Sequence, residues 1–216
     1  MPTLFPKGGG WCDNRSVGTA FKEYGLCPKE NVTMNRGILL AAALIAATPL
    51  LAQNAPKKPP VSPPADASAT IGGKTVSVHY NSPAVKGREG QIFTKDGKIS
   101  HDPHYPVWRA GANPATLFKT EGDITVGDLK VPAGTYTLFV DISDPDNWTL
   151  IVNKQTGQWG LAYDGSQDLG KTKMTMSKPP AMVENLVYTI TDNGGGKGTL
   201  TLAWEDHSAS VPISVP

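Results

Sequence analysis

Arg109 and Asn113 are the residues of this chain best suited to hold a polar ligand. A guanidinium brings five donors and a permanent charge, and a carboxamide four residues on adds a donor and an acceptor. At one strand end such a pair grips a carboxylate, a phosphate or sugar hydroxyls. The acidic partner expected for Arg109 is Glu205 or Asp206, just past a strand that ends in Trp204. The preferred reading of Arg109 by itself is a structural arginine–carboxylate pair that pins a loop, with Trp108 packed beside it, and the ligand site is its competitor.

Histidines form a second group. His101-Asp102-Pro103-His104 places two imidazoles and a carboxylate within four residues, and His79 and His207 lie elsewhere. Imidazole with carboxylate suits zinc or another divalent ion. The spacing is not that of two histidines one helical turn apart, and Pro103 argues for a loop. A solvated loop is therefore the preferred reading. His101, Asp102 and His104 stand as metal candidates only in that sense, and no cofactor beyond such an ion is expected.

Aromatic rings are the third group. Trp159 and Trp108 are candidates for a platform on which a sugar stacks, with Tyr163 near in sequence, whereas Trp148 and Trp204 carry core parity. The competing account is a loop aromatic closing an open end of the fold. Nucleophilic catalysis has no support: there is no G-x-S-x-G, and Gly194-Gly195-Gly196 sits in a hairpin turn rather than leading into a helix. Glycosidase chemistry by a carboxylate pair stays open, since carboxylate separation is not visible in sequence.

The elements that must position these residues are strands. From Ser68 onward apolar residues recur with period two: Val76, Val78, Tyr80; Tyr136, Leu138, Val140, Ile142; Trp148, Leu150, Val152; Leu186, Tyr188, Ile190; Leu200, Leu202, Trp204; Val211, Ile213, Val215. Turn chemistry separates them at Gly72-Gly73, Pro132-Ala133-Gly134, Asp144-Pro145-Asp146-Asn147 and Asp192-Asn193-Gly194. Nine or ten strands with one apolar face each imply two packed sheets or a closed barrel, and the expected fold is an all-β antiparallel sandwich, with jelly-roll connectivity as a variant and little helix. Residues 81–106 are the least regular part of the domain, as functional loops often are.

Composition sets the outer limits. With 39% hydrophobic and 18% charged residues the chain can bury a core, so disorder throughout is excluded. Residues 1–52 carry five basic and three acidic side chains and residues 53–216 fifteen and sixteen, so no basic face favours a nucleic-acid partner.

Residues 34–52, MNRGILLAAALIAATPLLA, have the basic start, apolar run and small-residue end of a secretory signal, with cleavage expected after Ala52. The apolar stretch from Gly37 to Ala52 contains Pro49 and is short of the roughly 20 residues that a membrane span needs. Residues 1–33 are read as an upstream extension from a mis-assigned start at Met1, an unusually long n-region being the alternative. Both cysteines, Cys12 and Cys27, precede the signal, so the mature domain is expected to have no thiol and no disulfide. Residues 53–66, with Pro56, Pro59, Pro60, Pro63 and Pro64, read as a semi-stiff linker before a single domain at 67–216.

Six ordered motifs bring a family into view. They are Y-N-S-P-A-V-K-G-R at 80–88, V-W-R-A-G-A-N-P-A-T at 107–116, P-A-G-T-Y-T-L-F at 132–139, W-T-L-I-V-N-K at 148–154, Q-W-G at 158–160 and A-W-E-D at 203–206. Together they resemble the bacterial family called domain of unknown function 2911, over about residues 67–216. The resemblance implies secretion and a β-rich fold and carries no established activity. One segment departs from it: H-D-P-H-Y-P stands at 101–106 where the family has something closer to Pro-Tyr-Gly-Lys.

The expected function is that of an exported module, periplasmic or extracellular, non-catalytic, and binding a small polar ligand, a glycan or an envelope protein. A metal-dependent or carboxylate-based hydrolase of the cell envelope is the alternative, and a purely structural envelope domain a further one. Neither nucleic acid nor a membrane span after signal cleavage is expected.

Overall fold

The computed structural model describes residues 61–216. The expected upstream extension, signal and most of the linker lie outside them. The described chain forms thirteen strands: β1 (Pro64–Ile71), β2 (Lys74–Asn81), β3 (Val107–Trp108), β4 (Thr116–Thr120), β5 (Ile124–Val126), β6 (Leu129–Val131), β7 (Gly134–Asp141), β8 (Thr149–Asn153), β9 (Asp168–Lys173), β10 (Thr175–Ser177), β11 (Val183–Gly194), β12 (Lys197–Glu205) and β13 (His207–Ser214). The count exceeds nine or ten because β3, β5, β6 and β10 are two or three residues long, too short for alternation to register.

Two antiparallel sheets result. One runs β1-β2-β4-β7-β8-β9 with β3 beside β7, and the other β11-β12-β13-β5-β6 with β10 beside β13. Neither closes into a barrel. Side chains of both sheets enter one apolar core, including Val76, Val78, Leu138 and Leu150 from the first and Leu186, Leu200, Leu202 and Val211 from the second. The arrangement is sandwich-like, and the Tyr80 and Tyr188 rings meet edge to face across it at 4.9 Å.

The domain begins earlier than composition suggests. Pro64 opposes Asn81 as the first residue of β1, and Ser82 donates its backbone N–H to the Pro63 carbonyl at 2.8 Å. β1 lies at a sheet edge, where a proline removes no needed donor. Strict alternation also fails in the middle of the first sheet. Phe139 and Ile151, on the parity expected to face solvent, are buried. Tyr163 from the 154–167 connection packs on Phe139 at 4.8 Å, and Thr137 donates to the Gln155 carbonyl at 2.7 Å, so this loop covers that face.

Candidate functional site

Three segments converge where β2 and β12 finish and β4 and β11 begin. The first is 82–88, which leaves β2 and runs against the start of β11. Val85 donates to the Glu184 carbonyl at 2.8 Å, Leu186 to the Pro83 carbonyl at 2.9 Å, and the Ser82 hydroxyl to the Leu186 carbonyl at 2.7 Å. The Lys86 N–H meets the Glu184 carboxylate at 2.9 Å. Arg88 folds back on its own segment, with Nε 2.8 Å from the Val85 carbonyl and a terminal nitrogen 2.7 Å from that of Ala84.

The second segment, 109–113, joins β3 to β4. Its Ala110 carbonyl receives the buried Tyr188 hydroxyl at 2.9 Å and the Thr116 hydroxyl at 3.1 Å. Burial, with Tyr80 alongside, pushes the Tyr188 phenol well above its ordinary range, so it stays a donor. The third segment is 98–102, a short 3₁₀ turn over Ile99–His101 with Ile99 anchored in the core.

Between them lies a cleft of about 260 Å³. Four cationic side chains line it, Lys86, Arg88, Lys98 and Arg109, against one carboxylate, Asp102. Ser62 and Asn113 add polar groups. Trp108 and Trp204, stacked 5.9 Å apart at 15°, supply its aromatic lining. Asn81 and Asn113 donate to the Ser62 carbonyl at 3.0 and 3.5 Å, fastening the segment before β1 to the rim.

The backbone is strained around this cleft. Among the described residues, four non-glycine residues have positive φ: Lys86 at 54°, Ala110 at 48°, Asn113 at 60° and Glu205 at 57°. Two line the cleft and the other two adjoin lining residues. Each such conformation costs on the order of 1–3 kcal/mol and persists only where surrounding structure enforces it, as at many binding sites.

Each candidate from the sequence has a place. Arg109 and Asn113 share the cleft. Arg109 pairs not with Glu205 or Asp206 but with Asp102, 3.2 Å from one carboxylate oxygen and 3.3 Å from the other. Glu205 is instead buried in the tight β12–β13 turn, where its carboxylate accepts the Gly90 backbone N–H. The turn directs it at the 88–91 segment, so it braces the loop that carries Lys86 and Arg88. Trp108 is only 2% exposed and is no free platform: β3 pairs with β7 and turns its ring into the core against Trp204. Trp159 is 54% exposed. It pairs with Pro114, next to Asn113, and so stands beside the cleft rather than in its lining. The neighbouring Gly160 is required there, because a Cβ would lie 2.7 Å from Arg109 Cδ.

His101 and His104 are exposed, and His104 rests edge-on to Tyr163 at 5.7 Å. Among the described residues, the group of three acidic and imidazole ligand atoms that lie within 4.8 Å of one another belongs to Glu205, Asp206 and His207, not to the 101–104 loop. These three are consecutive, and two of them have other contacts. Glu205 holds Gly90, and the His207 ring stacks on Trp148 at 5.4 Å. Its Nδ1 is 2.7 Å from Asp206 Oδ1, yet is sealed from solvent without hydrogen-bond alignment.

Sequence reasoning passed over Lys86, Arg88 and Lys98 as site residues. A Lys-Gly-Arg in an irregular stretch just after a strand end is a signal, but nothing local shows that it meets Arg109. The motifs at 80–88, 107–116 and 203–206 do meet here, and Gly160 of the 158–160 motif packs on Arg109.

The family model described as "Protein of unknown function (DUF2911)" matches residues 62–213. Nothing among curated proteins or solved structures matches the chain.

Proposed function

We propose, from the premise that the chain belongs to the family of proteins of unknown function DUF2911 and takes no activity from it, that the domain is a non-catalytic module whose cleft binds a small anionic ligand. The observation that carries this reading is the meeting of Lys86, Arg88, Lys98 and Arg109 in one cleft against the single carboxylate of Asp102. Like charges gathered without compensation repel one another, and an anion relieves that repulsion. Backbone strain at Lys86, Ala110, Asn113 and Glu205 supports a built site, since it fixes the loops before a ligand arrives.

A binding role fits the lining better than hydrolysis. Asp102 is the one carboxylate there, it is held by Arg109, and no imidazole lines the cleft to act as a base for the Ser62 hydroxyl. The signal-like segment at 34–52 supports an exported protein, so the ligand would be met in the periplasm or outside the cell.

Calorimetric titration of the purified protein with succinate and with inorganic phosphate tests the reading. Saturable binding that weakens as salt rises is expected, reduced about threefold to tenfold by Lys98→Gln, which removes an exposed cation without disturbing packing. Absence of binding by either anion, or binding indifferent to both Lys98→Gln and Lys86→Gln, contradicts it.

A further inference from the structure

We infer that the anionic group taken by this cleft is a phosphoryl dianion on a small, partly apolar body, so that the ligand is a small organic phosphomonoester; this rests on the anion-binding reading above.

Charge is the first argument. Four cations less one carboxylate give the lining residues a net charge of +3, while the nearby Glu184 and Glu205 carboxylates are taken up by the backbone amides of Lys86 and Gly90. A monocarboxylate offsets one unit of that net charge. A phosphomonoester carries about −1.5 to −2 near neutral pH and offsets most of it.

Donor geometry is the second. Arg88 is fixed by Nε and one terminal nitrogen on two backbone carbonyls, which orient it without neutralising it. Arg109 uses a single terminal nitrogen on Asp102, and its Nε and other terminal nitrogen have no protein partner among the described residues. Two separately fixed guanidiniums and the ammonium groups of two exposed lysines therefore surround one space. A planar carboxylate has two oxygens and suits one guanidinium fork. A terminal phosphoryl group has three oxygens in a tetrahedral spread and serves donors from several directions at once.

The third argument is what else lines the space. Val61, Pro83 and Ala84 contribute apolar surface beside the charged groups, over the buried edges of Ile99, Trp108 and Trp204. A free inorganic ion leaves that surface unused. At about 260 Å³ the cleft falls just under the roughly 300–1,000 Å³ of drug-sized pockets, so the organic part is small.

Calorimetry with four probes at about pH 7.5 and pH 5 decides the question: phenyl phosphate, inorganic phosphate, inorganic sulfate and benzoate. Phenyl phosphate should bind about tenfold or more tighter than benzoate, and tighter than inorganic phosphate. Its affinity should fall about tenfold at pH 5, because the second phosphoryl proton binds near pH 6. Sulfate stays a dianion at both values and controls for titration of the protein. The charged groups facing the site are Lys86, Arg88, Lys98, Arg109 and Asp102, with Glu184 on the Lys86 amide and Glu205 on that of Gly90. Lys86→Gln should weaken phenyl phosphate more than benzoate. Benzoate binding as tightly as phenyl phosphate, or a pH effect shared by sulfate, overturns the phosphoryl assignment and leaves the anion site standing. Tighter inorganic phosphate than phenyl phosphate overturns the organic ligand. No binding by any probe removes both readings.

Discussion

The guanidinium of Arg109 reaches Asp102 through one terminal nitrogen, 3.2 and 3.3 Å from the two carboxylate oxygens, with both side chains less than one-fifth exposed. The contact is therefore not the two-pronged pairing that arginine makes when its whole charge is committed to one carboxylate. It leaves Nε and the other terminal nitrogen of this cleft-lining arginine without a protein partner among the described residues.

Asp102→Asn should accordingly do two opposite things. Losing the ion pair should lower stability by roughly 1–2 kcal/mol, between the values typical of exposed and fully buried pairs. Removing the one negative charge of the lining should tighten phosphate binding severalfold at low salt. A denaturation curve and a titration on the same preparation check both. A variant that binds phosphate more weakly than the parent would show Asp102 to be a ligand-holding group rather than a competitor.

Glu205 supports the cleft from behind. Glu205→Ala removes the acceptor of the Gly90 N–H and leaves a non-glycine residue at φ 57°. It should cost about 1.5–3 kcal/mol, the range for hydrogen bonds to charged groups. Glu205→Gly loses the same acceptor but relieves the strain, and should be the more stable of the two by about 1 kcal/mol. Amide exchange at Gly90 should quicken in both. Equal stability of the two variants would show the turn to be unstrained.

Trp204 joins core and site. It is 4% exposed, stacks on Trp108 and donates from Nε1 to the Glu184 carbonyl at 3.3 Å. Trp204→Ala should cost roughly 3–5 kcal/mol. A loss under about 1 kcal/mol in urea unfolding would remove it from the core.

Alkaline pH should weaken the fold. Burial holds the Tyr188 phenol above its ordinary range, and burial with the Asp168 carboxylate at 2.8 Å does the same to Tyr163. Their folded values exceed the unfolded value near 10, so the stabilisation is complete below that pH and is lost as pH rises beyond it. Phenolate absorbance from these two should appear together with loss of structure. All tyrosines titrating near pH 10 with the fold intact would contradict this.

Export gives a prediction from sequence alone. Protein recovered from the envelope or medium should begin at or within a few residues of Gln53, and its melting curve should not move with reductant, because both cysteines lie upstream. A recovered N-terminus before Met34 would refute the signal.

The sandwich was legible where strands have one dry face. Val76, Val78 and Tyr80, or Leu200, Leu202 and Trp204, declare their parity directly. It was not legible at Phe139 and Ile151, because a loop covers the second face, nor at Pro64, because an edge strand tolerates what an inner strand excludes. The site was half legible. Arg109 and Asn113 stand out by type and spacing, but their companions Lys86 and Lys98 come from an irregular stretch, brought in by hydrogen bonds to β11 and by burial of Ile99. Glu205 looked like a partner for Arg109 because opposite charges near strand ends commonly meet. Its positive φ, invisible in sequence, turns it instead toward Gly90.

The most direct test of the anion cleft is a titration with inorganic phosphate followed by two-dimensional NMR of side-chain and backbone N–H groups. The Arg88 and Arg109 Nε–H signals, the Trp204 indole N–H and the backbone amides of Lys86 and Asn113 should shift together along one saturable curve. Those of Trp148 and of surface lysines outside the cleft, such as Lys119 and Lys154, should stay in place. Shifts that never saturate, or that spread over surface lysines and leave Arg88 and Arg109 unmoved, would contradict the cleft as a binding site.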